Sequence, residues 1–336
     1  MRNDTRLQFH AYVEQVARLN GVPSATEKFT VDPSVQQTLE TKMQESSAFL
    51  QRINIIGVTE QEGEKLGLGI GSPIASTTNT VTQDRQTRDP TTLDAQPYRC
   101  EQTNSDTHIS YAKLDAWAKF RDFQTRVRDA ILRRQALDRI LIGFNGVSRA
   151  ATSNPSTNPL LQDVNKGWLQ HYREQAPQRV LAAGGGGGTV KVGSAAGADY
   201  GNLDALVYDA VANMIEPWYA EDTELVVICG RSLLHDKYFP LINAQTVPSE
   251  KLAADLIVSQ KRMGGLPAMR VPGFPDNALL ITRLDNLSIY WQEGARRRTI
   301  IDNPKRDRIE NYESSNDAYV VEDFGAGCLV ENIELV

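Results

Sequence analysis

The sequence contains few of the residues that thiol or metal chemistry requires. Its three cysteines, Cys100, Cys229 and Cys328, lie far apart and form no C-x-x-C pair, so neither a disulfide framework nor a zinc site is expected. The four histidines are equally scattered, and none has a second histidine or a cysteine at ligand spacing. These shortages predict a chain that uses no cofactor.

Long apolar runs and an excess of positive charge are also absent. No run approaches the roughly 20 apolar residues of a membrane helix, and the N-terminus lacks the apolar stretch of a secretory signal. We therefore expect an intracellular protein that is soluble when made and has no membrane partner. The net charge of −6 argues against a dedicated nucleic-acid binder, although charge can be segregated onto one face.

Motifs of the common enzyme classes are missing as well. The five glycines at 184–188 are not followed by the Gly-Lys-Ser/Thr of a phosphate loop but by the strand-like sequence TVKV, which predicts a hairpin tip. The sequence has no G-x-S-x-G elbow. Cys229 ends an apolar run, where a small buried residue is far more common than a nucleophile. No catalytic residue is predicted, and a hydrolase that uses Cys229 is kept as an alternative.

The N-terminal region predicts two helices joined by a linker. The first twenty residues have apolar positions near helical spacing between Leu7 and Leu19, and the polar stretch 24–30 has no period. A second helix begins at Asp32 and Pro33, an acidic cap followed by proline at the first helical position. Its apolar residues are Val35, Leu39, Met43, Phe49, Leu50 and Ile53. A helix, a linker and a helix at this end of a chain indicate an arm.

Residues 55–111 predict a long β-hairpin. Strand-like pieces at 66–70 and 98–111 flank a polar, threonine-rich segment at 76–90. Glu60, Glu62 and Glu64 alternate, which places them on one solvated side of the hairpin. Few residues here could form a core of their own, so we expect the hairpin to contact a partner subunit.

The strongest helix pattern covers residues 114–144 and ends at Asn145 and Gly146. Such a helix would span on the order of 45 Å. Between Lys113 and Arg149 the chain has nine Lys or Arg and four Asp. The basic residues favour either a solvated face or a face directed at acidic neighbours or packaged nucleic acid. A nucleic-acid-binding protein that uses this helix is the second alternative.

The C-terminal half alternates predicted helices with short strands, which indicates an α+β fold. The triplet Arg296, Arg297 and Arg298 lies at a predicted turn, where a solvated or intersubunit position is expected. The predicted helices are 203–219, 232–241 and 249–259, and the predicted strands are 225–229, 269–271, 279–281, 287–291, 318–321 and 327–335.

A series of short segments, in collinear order from end to end of the chain, closely resembles the major capsid proteins of contractile-tailed temperate phages of the P2-like group. They are FTVDPSV (29–35), MQESS (43–47), INI (53–55), LIGFNGV (141–147), NPL (158–160), GW (167–168), IEPWY (215–219), LAAD (252–255), SQKR (259–262), LDNLSIY (284–290), ENYES (310–314) and YVVED (319–323). The glycine run at 184–188 departs from the family, which is more charged there.

The resemblance implies the HK97-like tailed-phage capsid fold. The chain would form pentamers and hexamers of an icosahedral virion capsid assembled in the bacterial cytoplasm, with an internal scaffold, a prohead protease, a portal protein and non-specifically packaged double-stranded DNA as partners. The implied divisions are a propeptide-like segment (1–31), an N-arm (32–55), an E-loop (56–111), a P-domain with a spine helix (112–200), an A-domain (201–295) and returning P-domain strands (296–336).

The resemblance also implies that a protease trims the N-terminus. The cut would fall at one bond in the linker between the two predicted helices, since proteases cut exposed unstructured chain. The residues of this span are Glu27, Lys28, Phe29, Thr30, Val31 and Asp32.

Overall fold

The computed structural model describes residues 1–69, 75–87, 92–117, 123–235, 237 and 261–336. Within these ranges the chain forms two main β-sheets with helices packed against them, which confirms the α+β prediction. The helix predicted at 249–259 lies outside the described residues. Of the helix predicted at 232–241, residues 236 and 238–241 lie outside them, and residues 232–235 and 237 are helical as predicted.

The first sheet has seven strands and is built around one long strand, β15. Along its first half β15 pairs with β14 and β6, and along its second half it pairs with β13 and β5. Strand β2 adds to β13 in parallel, and β1 adds to the outer edge of β14. The strands are β1 (Phe29–Thr30), β2 (Asn54–Val58), β5 (Glu101–Asn104), β6 (Thr107–Ser110), β13 (Leu287–Gln292), β14 (Arg297–Asn303) and β15 (Arg308–Val321).

The second sheet has six strands in the order β10-β11-β9-β12-β16-β7. Its three central strands are buried along their whole length, as expected for apolar runs that are covered on both faces. The strands are β7 (Val180–Leu181), β9 (Val226–Cys229), β10 (Arg262–Met263), β11 (Leu266–Arg270), β12 (Leu279–Thr282) and β16 (Gly327–Val330).

Two smaller pairs of strands lie outside these sheets. Strands β3 (Glu62–Gly69) and β4 (Thr92–Arg99) form an antiparallel hairpin, and β8 (Val190–Val192) pairs in parallel with β17 (Ile333–Leu335). The glycine run therefore connects β7, which pairs with β16, to β8, which pairs with β17. It is a tight turn with positive φ at Gly187 and Gly188, but the strands beside it do not pair with each other as a hairpin would.

Besides the helical residues 231–235, seven helices are seen in the described residues, and local capping explains where two of them begin. The Asp32 carboxylate accepts a hydrogen bond of 2.9 Å from the backbone N–H of Ser34, and the Asn202 side chain accepts one of 2.8 Å from Ala205. The helices are α1 (Asn3–Leu19), α2 (Pro33–Glu45), α3 (Tyr111–Trp117), α4 (Phe123–Asn145), α5 (Trp168–Gln175), α6 (Leu203–Met214) and α7 (Pro217–Ala220).

Trp168 stands at the centre of the main core, which lies between the two sheets under α4 and α5. It is fully buried, its indole N–H donates a 3.0 Å hydrogen bond to the carbonyl of Ser288, and its ring meets Phe144 and Tyr319 edge to face. Gly143 lets α4 approach, because a Cβ there would lie 2.2 Å from the indole. A second core covers the other face of the six-stranded sheet under α6.

Several predicted elements differ from the observed ones. The linker predicted at 24–30 contains β1, and the helix predicted at 203–219 is divided between α6 and α7 before Pro217, which has no N–H to continue it. The helix predicted at 114–144 is seen as α3 and α4, and it ends at Asn145 as expected. On α1, Leu7 and Leu19 are exposed although the pattern placed them on the packed face.

Each sheet takes strands from distant parts of the chain. Strand β13, at the end of the range 201–295, belongs to the seven-stranded sheet, whereas β16, within 296–336, belongs to the six-stranded sheet. The chain thus crosses between the sheets more often than its linear pattern indicates. Where the structure describes the chain, no helix is long and apolar enough to cross a membrane.

Candidate assembly elements

A buried network of charged side chains joins α2, which we call the arm helix, to α4 and the seven-stranded sheet, which belong to the body of the molecule. Arg139 on α4 and Arg296 before β14 face three carboxylates, those of Glu40 on α2 and of Glu313 and Asp317 on β15. All five residues are between 2% and 7% exposed. We call this set the arm network.

The geometry of the arm network is that of charge-assisted hydrogen bonds. Arg139 forks its two terminal nitrogens onto Glu40 and also donates to Asp317 at 2.9 Å. Arg296 donates to Glu40 at 3.0 Å and, through Nε, to Glu313 at 2.7 Å. The amide oxygen of Gln135 accepts a further bond from Arg296 at 3.0 Å. Buried charges in such numbers persist only when each has a partner of opposite sign.

The pKa values of this set show that pairing outweighs burial. Burial disfavours the charge of Arg139, yet the carboxylates of Asp317 and Glu40 raise the pKa of Arg139 above its ordinary value. Burial likewise opposes the charge of Glu313, but Arg296 and Arg298 hold the pKa of Glu313 below its ordinary value. Pairing therefore favours the charged forms of Arg139 and Glu313.

Arg296 corrects a prediction. The triplet at 296–298 was expected to be solvated or to contact another subunit, but Arg296 is only 2% exposed and lies inside its own chain. Arg297 is exposed, and Arg298 is half-buried and bonded to Tyr12 and Asn311. A run of identical residues gives no period from which one inward-pointing member could be recognised.

Helix α2 packs through polar as well as apolar side chains. Its three buried residues are Gln36, Glu40 and Met43, which share one stripe of the helix. Gln36 bridges the turn after β13, donating to the carbonyl of Gln292 at 3.1 Å and accepting from the N–H of Gly294 at 3.0 Å. The sequence pattern found Met43 but missed its two polar neighbours on the stripe, because periodicity counts apolar residues only.

The segment before α2 is packed against the seven-stranded sheet. Val13, Val16 and Ala17 of α1 and Phe29 of β1 form a third core with Tyr111, Ile300 and Ile309. Of the residues named for proteolytic trimming, Glu27 and Lys28 lie in exposed irregular chain. Phe29 and Thr30 pair with β14, the N–H of Val31 donates to the carbonyl of Arg296 at 2.8 Å, and Asp32 caps α2.

The hairpin β3–β4 is attached to the body at its base. The Lys65 ammonium donates to the carbonyl of Val321 at 2.7 Å and also to that of Glu322. Tyr98 meets Tyr290 edge to face at 5.0 Å. Glu62 and Glu64 are exposed, as the alternation predicted. Lys65 and Tyr98 therefore attach the base of the hairpin to the seven-stranded sheet, whereas β3 and β4 pair with each other.

Between the two strands, residues 75–87 contain a built turn. The side chain of Asn79 accepts a hydrogen bond from the N–H of Val81 at 3.1 Å, and its carbonyl accepts from the N–H groups of Thr82 and Gln83, each at 3.1 Å. Val81 is 91% exposed at this turn. A large apolar side chain presented in this way has no cover within the described part of its own chain.

The basic character of α4 is reduced by its own contacts. Arg139 points into the arm network, Arg128 pairs with Asp129 at 2.9 Å, and Arg134 pairs with Asp138 at 2.6 Å. Arg133 is exposed on the same helix. The basic face is therefore weaker than the count of residues indicates.

Cys229 is 1% exposed at the end of β9. Burial raises the pKa of its thiol to about 11, and burial raises the pKa of Cys100 and Cys328 to about 12. A thiol that stays protonated at neutral pH is a poor nucleophile. The site does not support the hydrolase alternative.

The two N-terminal helices, the separate β3–β4 hairpin, the long helix α4 and the two main sheets together define the class of protein. They form the HK97-like fold of tailed-phage capsid proteins. A capsid chain of an empty GTA particle shares this fold at a TM-score of 0.52 and 16% identity, over 86% of this chain and 90% of that chain.

Sequence similarity shows the particular family within this fold class. The family model described as phage major capsid protein, P2 family, matches residues 8–333. The capsid proteins of Escherichia phage P2 are 56% identical over 100% of this chain and 96% of their own length. The major capsid protein of Serratia phage KSP20 is 43% identical over 99% and 97%. The chain belongs to the P2 family of phage major capsid proteins, a family of structural proteins and not of enzymes.

A solved relative extends this likeness to the whole structure. A chain from the satellite phage P4 procapsid, which includes the size determination (Sid) protein, superimposes at a TM-score of 0.83 with 52% identity. The match covers 100% of this chain and 99% of that chain.

Proposed function

We propose that the chain assembles as pentamers and hexamers into the icosahedral shell of a phage head that encloses double-stranded DNA. Family membership carries the proposal. The hairpin supports it, because β3 and β4 form a strand pair of their own and Val81, between them, is 91% exposed. Each subunit makes many modest contacts, and heterologous contacts that close into rings give the required geometry.

Electron microscopy tests the assembly. The chain co-expressed with the scaffold gene of its own operon is expected to give closed shells, or rings of five and six subunits, in negative stain. A variant with Val81→Asp is expected to reduce the yield of shells, whereas Thr80→Asp beside it serves as the control for added charge. Small discrete particles at every ionic strength would contradict the proposal.

Maturation by N-terminal trimming is the second part of the proposal. Assembly on an internal scaffold is followed by cleavage at one bond between Glu27 and Asp32, and portal and packaged DNA complete the head. A bond beyond Lys28 becomes accessible once β1 has lifted from β14, since paired strands do not fit a protease cleft. N-terminal sequencing of mature particles is expected to find a first residue between Lys28 and Asp32. A chain that still begins at residue 1 or 2 would refute the cleavage alone.

A further inference from the structure

We propose that Glu40 is a positioning residue that holds α2 as a releasable arm, and that the buried ion pairs of the body stay complete when the arm leaves. The opening of α2 is a property of the single chain, so it can be true or false whatever the outcome for shell assembly. Three observations carry it: the charge count of the arm network, its division between arm and body, and the polar side chains that α2 buries.

The arm network contains two guanidinium groups and three carboxylates, so it has one acid more than it has bases. Only Glu40 belongs to α2. When α2 leaves, Arg139 keeps Asp317 through Nη2 at 2.9 Å and Nε at 3.3 Å, and Arg296 keeps Glu313 through Nε at 2.7 Å. Each buried arginine therefore retains its own carboxylate.

This division decides how costly release is. Removing one partner from a buried pair is strongly destabilising when it leaves a charge alone. Release of α2 leaves no such charge in the body, and it carries the surplus carboxylate into water. With a single acid on the body, the same movement would strand a buried arginine.

The side chains that α2 buries are another reason to expect its release. Two of the three fully buried side chains of α2, Gln36 and Glu40, are polar, and Met43 is apolar. The other apolar contacts of α2 come from the half-buried Leu39 and Val35. Polar groups exchange their protein hydrogen bonds for bonds to water when a helix lifts, so little is lost per group. An apolar stripe of the same length would instead expose its whole surface to water.

Hydrogen exchange on the full-length chain, kept dilute enough to stay unassembled, tests the proposal. In the unaltered chain the amides of α2 are expected to exchange through an opening that leaves β15 protected. Glu40→Gln removes the carboxylate that accepts from both arginines and should speed exchange in α2 on the order of tenfold, with β15 unchanged. Glu45→Gln, an exposed acid on the same helix, is the matched control and should change neither.

Asp317→Asn should act in the opposite direction. It leaves Glu40 as the carboxylate that pairs with Arg139, so release would now strand that arginine. Exchange in α2 and in β15 should then converge on one rate. The proposal is overturned if α2 and β15 already exchange together in the unaltered chain, or if Glu40→Gln speeds both equally. These two outcomes are decisive even if the Asp317 variant does not fold.

Discussion

Arg296 and Arg297 are adjacent and chemically identical, yet their surroundings are opposite. The first is buried between Glu313, Glu40 and α4, and the second is exposed on β14. At the scale of single residues, the value of a charge in this molecule is set by whether it completes the arm network. The surface pairs on α4 are exposed to water and contribute at most about 1 kcal/mol each.

This contrast predicts different effects for two neighbouring substitutions. Arg296→Ala leaves Glu313 buried without its main partner and opens a cavity, so it should lower the free energy of unfolding by about 3–5 kcal/mol. Arg297→Ala should change it by less than about 0.5 kcal/mol. Urea unfolding followed by tryptophan fluorescence measures both. Equal effects of the two substitutions would show that the contacts of Arg296 in the arm network do not increase the free energy of unfolding.

At the scale of elements, the hairpin β3–β4 is held to the rest of the molecule by contacts at its base. Lys65 is half-buried and bonded to two backbone carbonyls at the end of β15, and Tyr98 rests on Tyr290. The ammonium binds the carbonyl of Val321, the last residue of β15 that pairs with β13, and that of Glu322 after it. The hairpin is therefore fastened by a few contacts that can be removed singly.

Lys65→Met tests this fastening. The thioether keeps the length of the side chain but cannot donate to Val321 and Glu322, so the base should open more often. Hydrogen exchange at residues 62–65 and 96–99 is expected to rise about tenfold, as for the loss of a hydrogen bond to a charged group. Lys305→Met, at an exposed position, is the control. Unchanged exchange at the base would assign the fastening to Tyr98 instead.

The elements also show what the sequence could predict. The strands at 225–229, 279–281 and 287–291, the cap at Asp32 and the end of α4 at Asn145 follow from local patterns, and all are present. The arm network could not be found in this way, because Glu40, Arg139, Arg296 and Asp317 are far apart in the chain and charged residues are normally solvated. The sheet to which each strand belongs could not be predicted either, because pairing between strands that are distant in the chain produces no local sequence period.

At the scale of the whole molecule, residues 1–31 cover part of the seven-stranded sheet and add the edge strand β1 to it. They are not part of the two cores between and beside the sheets. They bury Val16, Ala25 and Phe29 against Ile300 and Ile309, whereas the main core depends on α4, α5 and both sheets. Helix α2 begins at Pro33 with its own cap at Asp32, so the start of α2 does not require residues 1–31.

Deletion of residues 1–31 should accordingly leave a folded chain with a newly exposed apolar surface. Ile300 is 1% and Ile309 9% exposed beneath the cover, and uncovering them should increase the binding of a hydrophobic dye and lower Tm by a few degrees. The near-ultraviolet signal of Trp168 should persist, because its core is untouched. Adding a synthetic peptide of residues 1–31 should reverse the dye binding, whereas a peptide with Phe29→Asp should not. Loss of the Trp168 signal on deletion would instead place the N-terminal segment within the cooperative core.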